Sequence, residues 1–168
     1  WKLPDAAHDR TLLSVQKGMY LQGRIDALGH TYTIPLFVEL TGTDAESAER
    51  AVHALLAAEP ILRMRVREDL SYDVLPADAF TVARGEVAED RLDALRDERA
   101  RTAFPLSDGR LIHPEVIEVT GTGAVVVGLT HHHMLSDAYS ADLLVHRLIT
   151  LHDTSTDDTA TDVTSTHD

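Results

Sequence analysis

The stretch A-V-V-V-G-L-T-H-H-H-M-L-S-D-A-Y-S, from Ala124 to Ser140, joins a continuous apolar run to a cluster of reactive side chains. Its first part, 124–129, is apolar at consecutive positions, which is typical of a strand buried on both faces at the centre of a sheet. Successive side chains of a strand point to opposite faces, so His131 and His133 share one face while His132 faces the other. Because a regular strand cannot direct all three rings at one ion, we expect no metal site here.

The end of this strand is the candidate reactive site. His133 would lie at the strand end, where a neutral imidazole, with an unperturbed pKa near ~6.5, can accept a proton at neutral pH. Asp137 follows after a short turn and could orient a ring or anchor the loop. The alternative is that the histidines are solvated surface residues, since the chain contains 10 histidines among 168 residues.

Length and composition indicate one globular domain. The chain is 43% hydrophobic, has no cysteine, and has no apolar run near the ~20 residues of a membrane-spanning helix. The absence of cysteine fits a cytoplasmic location. With 28 acidic against 15 basic residues, nucleic acid is an unfavourable partner. The chain opens W-K-L-P-D, without an initiator methionine or a signal pattern, so we expect a piece of a longer protein.

The first half of the chain predicts a helix, a strand and a second helix. The pattern from Leu12 onward suggests a helix with Val15, Met19 and Gln22 on one side. Residues 31–40 form a strand pattern in which Pro35 requires an edge position or a bulge. Thr43-Asp44-Ala45-Glu46 fits a capping box. Behind it lie apolar residues at helical spacing: Ala48, Ala51, Val52, Leu55 and Leu56.

The second half predicts further strands and two helices. Residues 61–66 alternate apolar with basic side chains, as a half-buried strand does. The other expected elements are short strands at 71–75 and 80–83, a charged helix at about 89–103, a hairpin of 112–120 with 124–130, and a helix from Asp137 to about Leu151. The chain divides into a folded lobe, 1–151, and a disordered linker or tail rich in Thr, Ser and Asp, 152–168. The fold class is an α/β (α+β) sandwich, with a mixed sheet flanked by helices.

Several motifs resemble the condensation domains of nonribosomal peptide synthetases, in the chloramphenicol-acetyltransferase-like superfamily. His132-His133-Met134-Leu135-Ser136-Asp137 matches H-H-x-x-x-D. V-Q-K-G-M-Y within 12–22 is similar to the opening A-Q-x-G/R-x-W segment, and 32–35 resemble Y-N-I-P. Residues 104–111 resemble F-x-L…G-P-L. The resemblance covers about residues 11–151, and it implies a single lobe of a two-lobed fold with a mostly antiparallel sheet.

The resemblance also implies roles for the site residues. His133 would face the tunnel between two lobes and assist attack by an acceptor amine or hydroxyl on a carrier-bound donor thioester. His132 would be structural rather than reactive, although it belongs to the same catalytic motif. Asp137 would pair with an arginine, for which Arg63 is the candidate, with Ser136 and Ala138 as structural support. No cofactor would be bound directly; carrier proteins would deliver phosphopantetheine.

The sequence departs from the family pattern at several positions. Ala138 replaces the glycine that usually follows the motif aspartate, and Ala58-Glu59 replace the Arg-His of the R-H-x-x-L-R motif. No second-lobe motif is present. Three interpretations stay open: half of an active condensation domain, a truncated non-catalytic lobe that acts as a scaffold or docking element, or another acyltransferase of the superfamily. The expected partners are carrier proteins and the missing lobe or adjacent synthetase domains.

Overall fold

A four-stranded sheet forms the centre of the molecule in the computed structural model. The structure describes residues 10–26, 29–106 and 109–161, with side chains described up to residue 154. The helices are α1 (Ser14–Ile25), α2 (Ala45–Ala58), α3 (Leu92–Arg99) and α4 (Ala138–Thr161). The strands are β1 (Thr33–Leu40), β2 (Met64–Val66), β3 (Tyr72–Val74), β4 (Ala83–Ala88), β5 (Ile112–Thr120) and β6 (Ala124–His132).

The order of strands in the main sheet is β1-β6-β5-β4. β6 is antiparallel to both of its neighbours, and β4 is parallel to β5. The sheet is therefore mixed and mostly antiparallel, which confirms the predicted fold class. β6 occupies the predicted central position and β1 the edge position that Pro35 requires. β2 and β3 pair separately as a small antiparallel ribbon.

Helices cover both faces of the sheet, as a layered sandwich requires. α2 contributes Val52, Leu55 and Leu56 to the main core, and α4 contributes Leu144 and Leu148. On the opposite face Leu92 and Leu95 of α3 pack against a smaller cluster of Ile117, Val119 and Val126. The alternating strand residues therefore supply two separate apolar layers.

A partly buried ion pair joins α3 to the second face of the sheet. Arg99 donates from Nε to Glu115 Oε1 (2.8 Å) and from Nη2 to Glu115 Oε2 (3.0 Å). Glu115 lies opposite Gly128 of β6. A Cβ atom at residue 128 would stand 2.7 Å from Glu115 Cγ, so glycine leaves the space that this carboxylate fills.

The predicted helix starts and faces need two corrections. Asp44, rather than Thr43, is the N-cap of α2, because its carboxylate accepts a hydrogen bond from Ser47 N at 2.7 Å. α1 buries Gln16 and Tyr20, whereas Val15 of the predicted face is 61% exposed. The spacing of apolar residues predicted the wrong buried face for α1, because apolar side chains such as Val15 and Leu21 also occupy its exposed face.

Two predicted strands are shorter or absent. Residues 60–63 form a 3-10 turn, so only Met64–Val66 are a strand within the predicted 61–66 segment. Proline at the start of the turn fixes its own φ and cannot donate a hydrogen bond to a partner strand. Residues 80–82 precede β4 rather than forming a strand of their own, and β4 continues to Ala88.

The last helix extends past the predicted end at about Leu151. α4 continues to Thr161, so residues 152–161 are helical, and only 162–168 of the predicted tail lie outside the described residues. His152 is buried and its Nε2 contacts Thr43 Oγ1 at 2.6 Å. Thr150 and Thr154 bond backbone carbonyls one turn earlier. Once a helix is nucleated, each added residue gains a backbone hydrogen bond, which explains helix where composition suggested none.

Within the described ranges, no helix combines the length and the apolar character that a membrane span requires.

Candidate active site

The histidine run lies at the end of the central strand. His131 and His132 are the last two residues of β6, opposite Ile34 and Thr33 of β1. The backbone N–H of His132 donates to Leu111 O at 2.8 Å. Hydrogen bonds on both sides thus fix the strand end, and the chain turns at His133.

His131 faces the main core and is fully buried. Its Nδ1 lies 2.7 Å from Leu129 O, and its Nε2 lies 2.5 Å from Ser136 Oγ. The carbonyl can only accept, so Nδ1 carries the proton and Nε2 accepts from the Ser136 hydroxyl. Burial lowers the pKa of His131. The neutral ring therefore ties the loop after β6 back to the strand.

His132 points to the opposite face and is also buried. Its Nδ1 accepts a hydrogen bond from Met134 N at 3.1 Å, and its ring centroid is 5.6 Å from that of Tyr32 and 6.3 Å from that of Phe104. Burial, and then the neighbouring imidazoles His133 and His131, lower the pKa of His132 to about 4. His132 is therefore neutral at pH 7 and packed within the protein.

His133 is the histidine of the run that opens onto a concave surface. Its backbone N–H donates to Tyr32 O at 2.7 Å, while its ring is half-buried. Its Nδ1 is buried and has no hydrogen-bond partner among the described residues. The ring lines a hollow of about 200 Å³ between α1 and the start of α4, beside Val15, Met19 and Ile61. A fixed backbone and a ring in the wall of the hollow suit a group that acts on a bound molecule.

Asp137 caps α4. Its carboxylate accepts from Ser140 N at 2.7 Å, and its carbonyl accepts from Ala141 N at 2.8 Å. The backbone and hydroxyl hydrogen bonds of Ser140 lower the pKa of Asp137, and the charge of His133 acts weakly in the same direction. Ala138 is the first residue of the helix, so the positive φ that glycine allows is not needed there.

The expected pair between Arg63 and Asp137 is wrong. Arg63 Nε donates to Leu56 O at 2.7 Å, and Nη1 donates to Leu75 O at 2.5 Å. Among the ion pairs of the described residues, none joins Arg63 to Asp137. Arg63 instead bonds two backbone carbonyls. Leu56 O lies in the last turn of α2, where a helix end leaves acceptors unpaired, and Leu75 O lies just after β3.

Gln16 is a site residue that the helical periodicity did not identify. Its side-chain amide donates to Met134 O at 2.9 Å, and its Oε1 accepts from Leu13 N at 3.0 Å. It therefore joins the start of α1 to the loop that carries His133. The sequence did indicate Gln16 in one way: it occupies the glutamine position of V-Q-K-G-M-Y, the segment that resembles A-Q-x-G/R-x-W.

No group of three or more His, Asp or Glu side chains is arranged to hold a metal ion in the part of the chain that the structure describes. His131 and His132 face opposite sides of β6, and each has its own protein partner.

The model of the family described as "Condensation domain" matches residues 6–168. The chain belongs to the condensation-domain family. It is 28% identical over 143 residues to malpibaldin synthetase of Mortierella alpina. That match covers 79% of this chain and 3% of the synthetase, so the chain spans a small part of its curated relative.

Solved structures share the fold. The X-domain from teicoplanin biosynthesis matches with a TM-score of 0.77 and 19% identity, over 90% of this chain and 34% of that one. The first condensation domain of the calcium-dependent antibiotic synthetase matches with a TM-score of 0.68 and 22% identity, over 83% and 36%. This chain corresponds to about one third of each structure.

Proposed function

We propose that this chain is the N-terminal half of a nonribosomal peptide synthetase condensation domain and that His133 assists amide formation. The donor would be an acyl thioester and the acceptor an amine, both delivered on the phosphopantetheine arms of carrier proteins. A second lobe would supply the opposite wall of the site. The observation that carries the proposal is the contrast among the histidines: His131 and His132 are engaged within the protein, whereas His133 opens onto the hollow.

The chemistry follows from that placement. The amine nitrogen attacks the thioester carbonyl, a C–N bond forms, the C–S bond breaks, and the thiolate leaves on the donor arm. The attacking nitrogen must lose one proton, which His133 accepts or orients and which finally neutralises the thiolate. Positioned acid-base help of this kind contributes roughly 10²–10⁴ in rate.

His131, Ser136 and Gln16 act as positioning residues in this proposal. They fix the loop 133–137 to β6 and to α1 through hydrogen bonds of 2.5–2.9 Å. Rigid support matters because a catalytic group must stay close to its productive geometry.

The test is His133→Ala in the two-lobed parent with carrier-loaded donor and acceptor. We expect product formation to fall at least about 100-fold, which is the lower bound for acid-base help. His146→Ala is the matched control, because His146 is an exposed histidine of α4 outside the hollow. The melting temperature should change little, since truncation removes no hydrogen bond of His133 Nδ1. Normal turnover of His133→Ala would refute the proposal.

A second candidate function is a non-catalytic lobe that docks other synthetase domains. Glu59 favours this function. It stands at the histidine position of the R-H-x-x-L-R motif, and its carboxylate accepts from Arg147 Nε at 2.8 Å. Titration of this chain with neighbouring carrier and synthetase domains separates the two functions. Saturable binding combined with an unaffected His133→Ala parent would favour docking.

A further inference from the structure

The hollow beside His133 continues into a second one along α4. The second hollow has a volume of about 340 Å³ and shares Ile61, Leu135 and Ser140 with the first. Together they form one groove, which we call the α4 groove. It runs from His133 past Leu143 to Glu59 and Arg147. Hollows of this combined size are in the range that holds small organic ligands.

The walls of the α4 groove are mainly aliphatic. They are formed by Val15, Met19, Ile61, Leu135, Leu143 and Leu144. Val15 and Leu143 are 61% and 41% exposed, so this apolar surface is open to a bound group. Covering it with an apolar group would remove it from water, which is favourable in proportion to the buried area.

Apart from His133, the polar side chains Gln16, Ser136 and Asp137 of the α4 groove are bonded to other protein groups. Gln16 joins Leu13 N to Met134 O, and Asp137 accepts from Ser140 N. Ser136 is bound to His131. A polar substrate group placed here would lose its water without gaining these partners, and that costs free energy.

The far end of the groove has an ionic boundary. Glu59 Oε1 accepts from Arg147 Nε at 2.8 Å, and the side chain of Glu59 is 19% exposed. The pair joins the end of α2 to α4. The apolar walls end at this pair, so an apolar chain that reached beyond it would bury no further apolar surface.

We propose that the α4 groove is a subsite that selects an apolar substrate group, with Leu143 as a specificity-determining residue. The inference rests on the proposed function, because it assigns the groove to a substrate of the same reaction. Two substrates could supply the group: the acyl chain of the donor thioester or the side chain of the acceptor. Both present the same chemistry to the groove, and the probes below distinguish them.

The probes are pantetheine thioesters titrated into the two-lobed parent, observed through the methyl resonances of Ile61 and Met19. Hexanoyl and 6-aminohexanoyl thioesters test the donor, because they differ only by a terminal ammonium group. Leucyl and asparaginyl thioesters, which have side chains of similar shape, test the acceptor. We expect saturable methyl shifts from the apolar member of one pair and at least about 10-fold weaker binding of its polar counterpart.

Leu143→Asp should reduce that preference at least about 10-fold, and Leu143→Gln should reduce it without adding a charge. Ile149→Asp is the matched control. Ile149 is a similarly exposed aliphatic residue of α4 (38% against 41%) outside the groove.

Two results would overturn the subsite: no methyl shift with either apolar thioester, or an unchanged preference in both Leu143 variants. Failure of the proposed function is distinguishable, because it appears as normal turnover of His133→Ala while the methyl titrations are unaffected.

Discussion

Acid should destabilise this fold through His132. The folded-state pKa of His132 is about 4, and an unfolded histidine has a pKa near ~6.5. Between these values the unfolded chain binds a proton that the folded chain excludes. The contribution of His132 to stability is therefore fully present above about pH 6.5, decreases as the pH falls, and is lost near pH 4.

The size of the effect follows from the two pKa values. One proton bound only by the unfolded state costs about 1.4 kcal/mol per pH unit, so roughly 3 kcal/mol of stability disappears between pH 6.5 and 4. That is a large part of the ~5–15 kcal/mol that stabilises a typical domain. Burial also lowers the pKa of His131 and of His113, so both rings act in the same direction.

The assay is urea unfolding of the chain at pH 7.5, 6.5, 5.5 and 4.5, compared with His132→Asn. Asparagine does not titrate, and its side-chain oxygen can replace Nδ1 as acceptor for Met134 N. We expect the free energy of unfolding of the variant to fall less than that of the natural chain, by about 1.2 kcal/mol between pH 5.5 and 4.5. Parallel pH profiles for the two proteins would refute the assigned environment of His132.

Two further predictions concern the loop after β6. Ser136→Ala should lower the free energy of unfolding by about 1–3 kcal/mol, because it leaves the buried Nε2 of His131 without a donor. The control Ser14→Ala, at the exposed start of α1, should lower it much less. Equal losses for the two variants in thermal or urea unfolding would contradict this role of Ser136. Asp137→Ala should lower the melting temperature by about 2–4 °C through loss of the cap on Ser140 N, whereas Asp137→Asn should preserve it. Equal melting temperatures for Asp137→Ala and Asp137→Asn would show that capping is not the role of this side chain.

The elements that were predictable are those with a strong local pattern. The apolar run of β6, the hairpin of 112–120 with 124–130, and the apolar spacing of α2 each indicate one structure, and the fold contains all three. Segment 61–66 was not predictable as a turn, because its alternating side chains suit a strand, while Pro60 and the pairing with β3 limit the strand to Met64–Val66. Tertiary pairing decided that case.

The geometry of the site was only partly predictable. Strand alternation correctly separated the faces of His131 and His132, because both belong to the regular strand. It could not describe His133, which lies in the turn, nor the hollow that α1 and α4 form beside it. The wrong partner for Arg63 has a physical origin. A charged side chain suggests an acidic partner in the sequence, but any residue type can supply the unpaired backbone carbonyls that Arg63 binds here.

The two-sided anchoring of β6 has a consequence for protein engineering. The six-residue motif 132–137 depends on partners outside it, namely Leu111, Tyr32, the ring of His131 and the amide of Gln16. A shift of β6 by one residue would exchange the faces of His131 and His132 and break both sets of contacts. Grafting the motif onto the end of an unrelated strand would therefore transfer its residues without their geometry. A graft that keeps the geometry must include β6, the adjacent ends of both neighbouring strands and the first turn of α1.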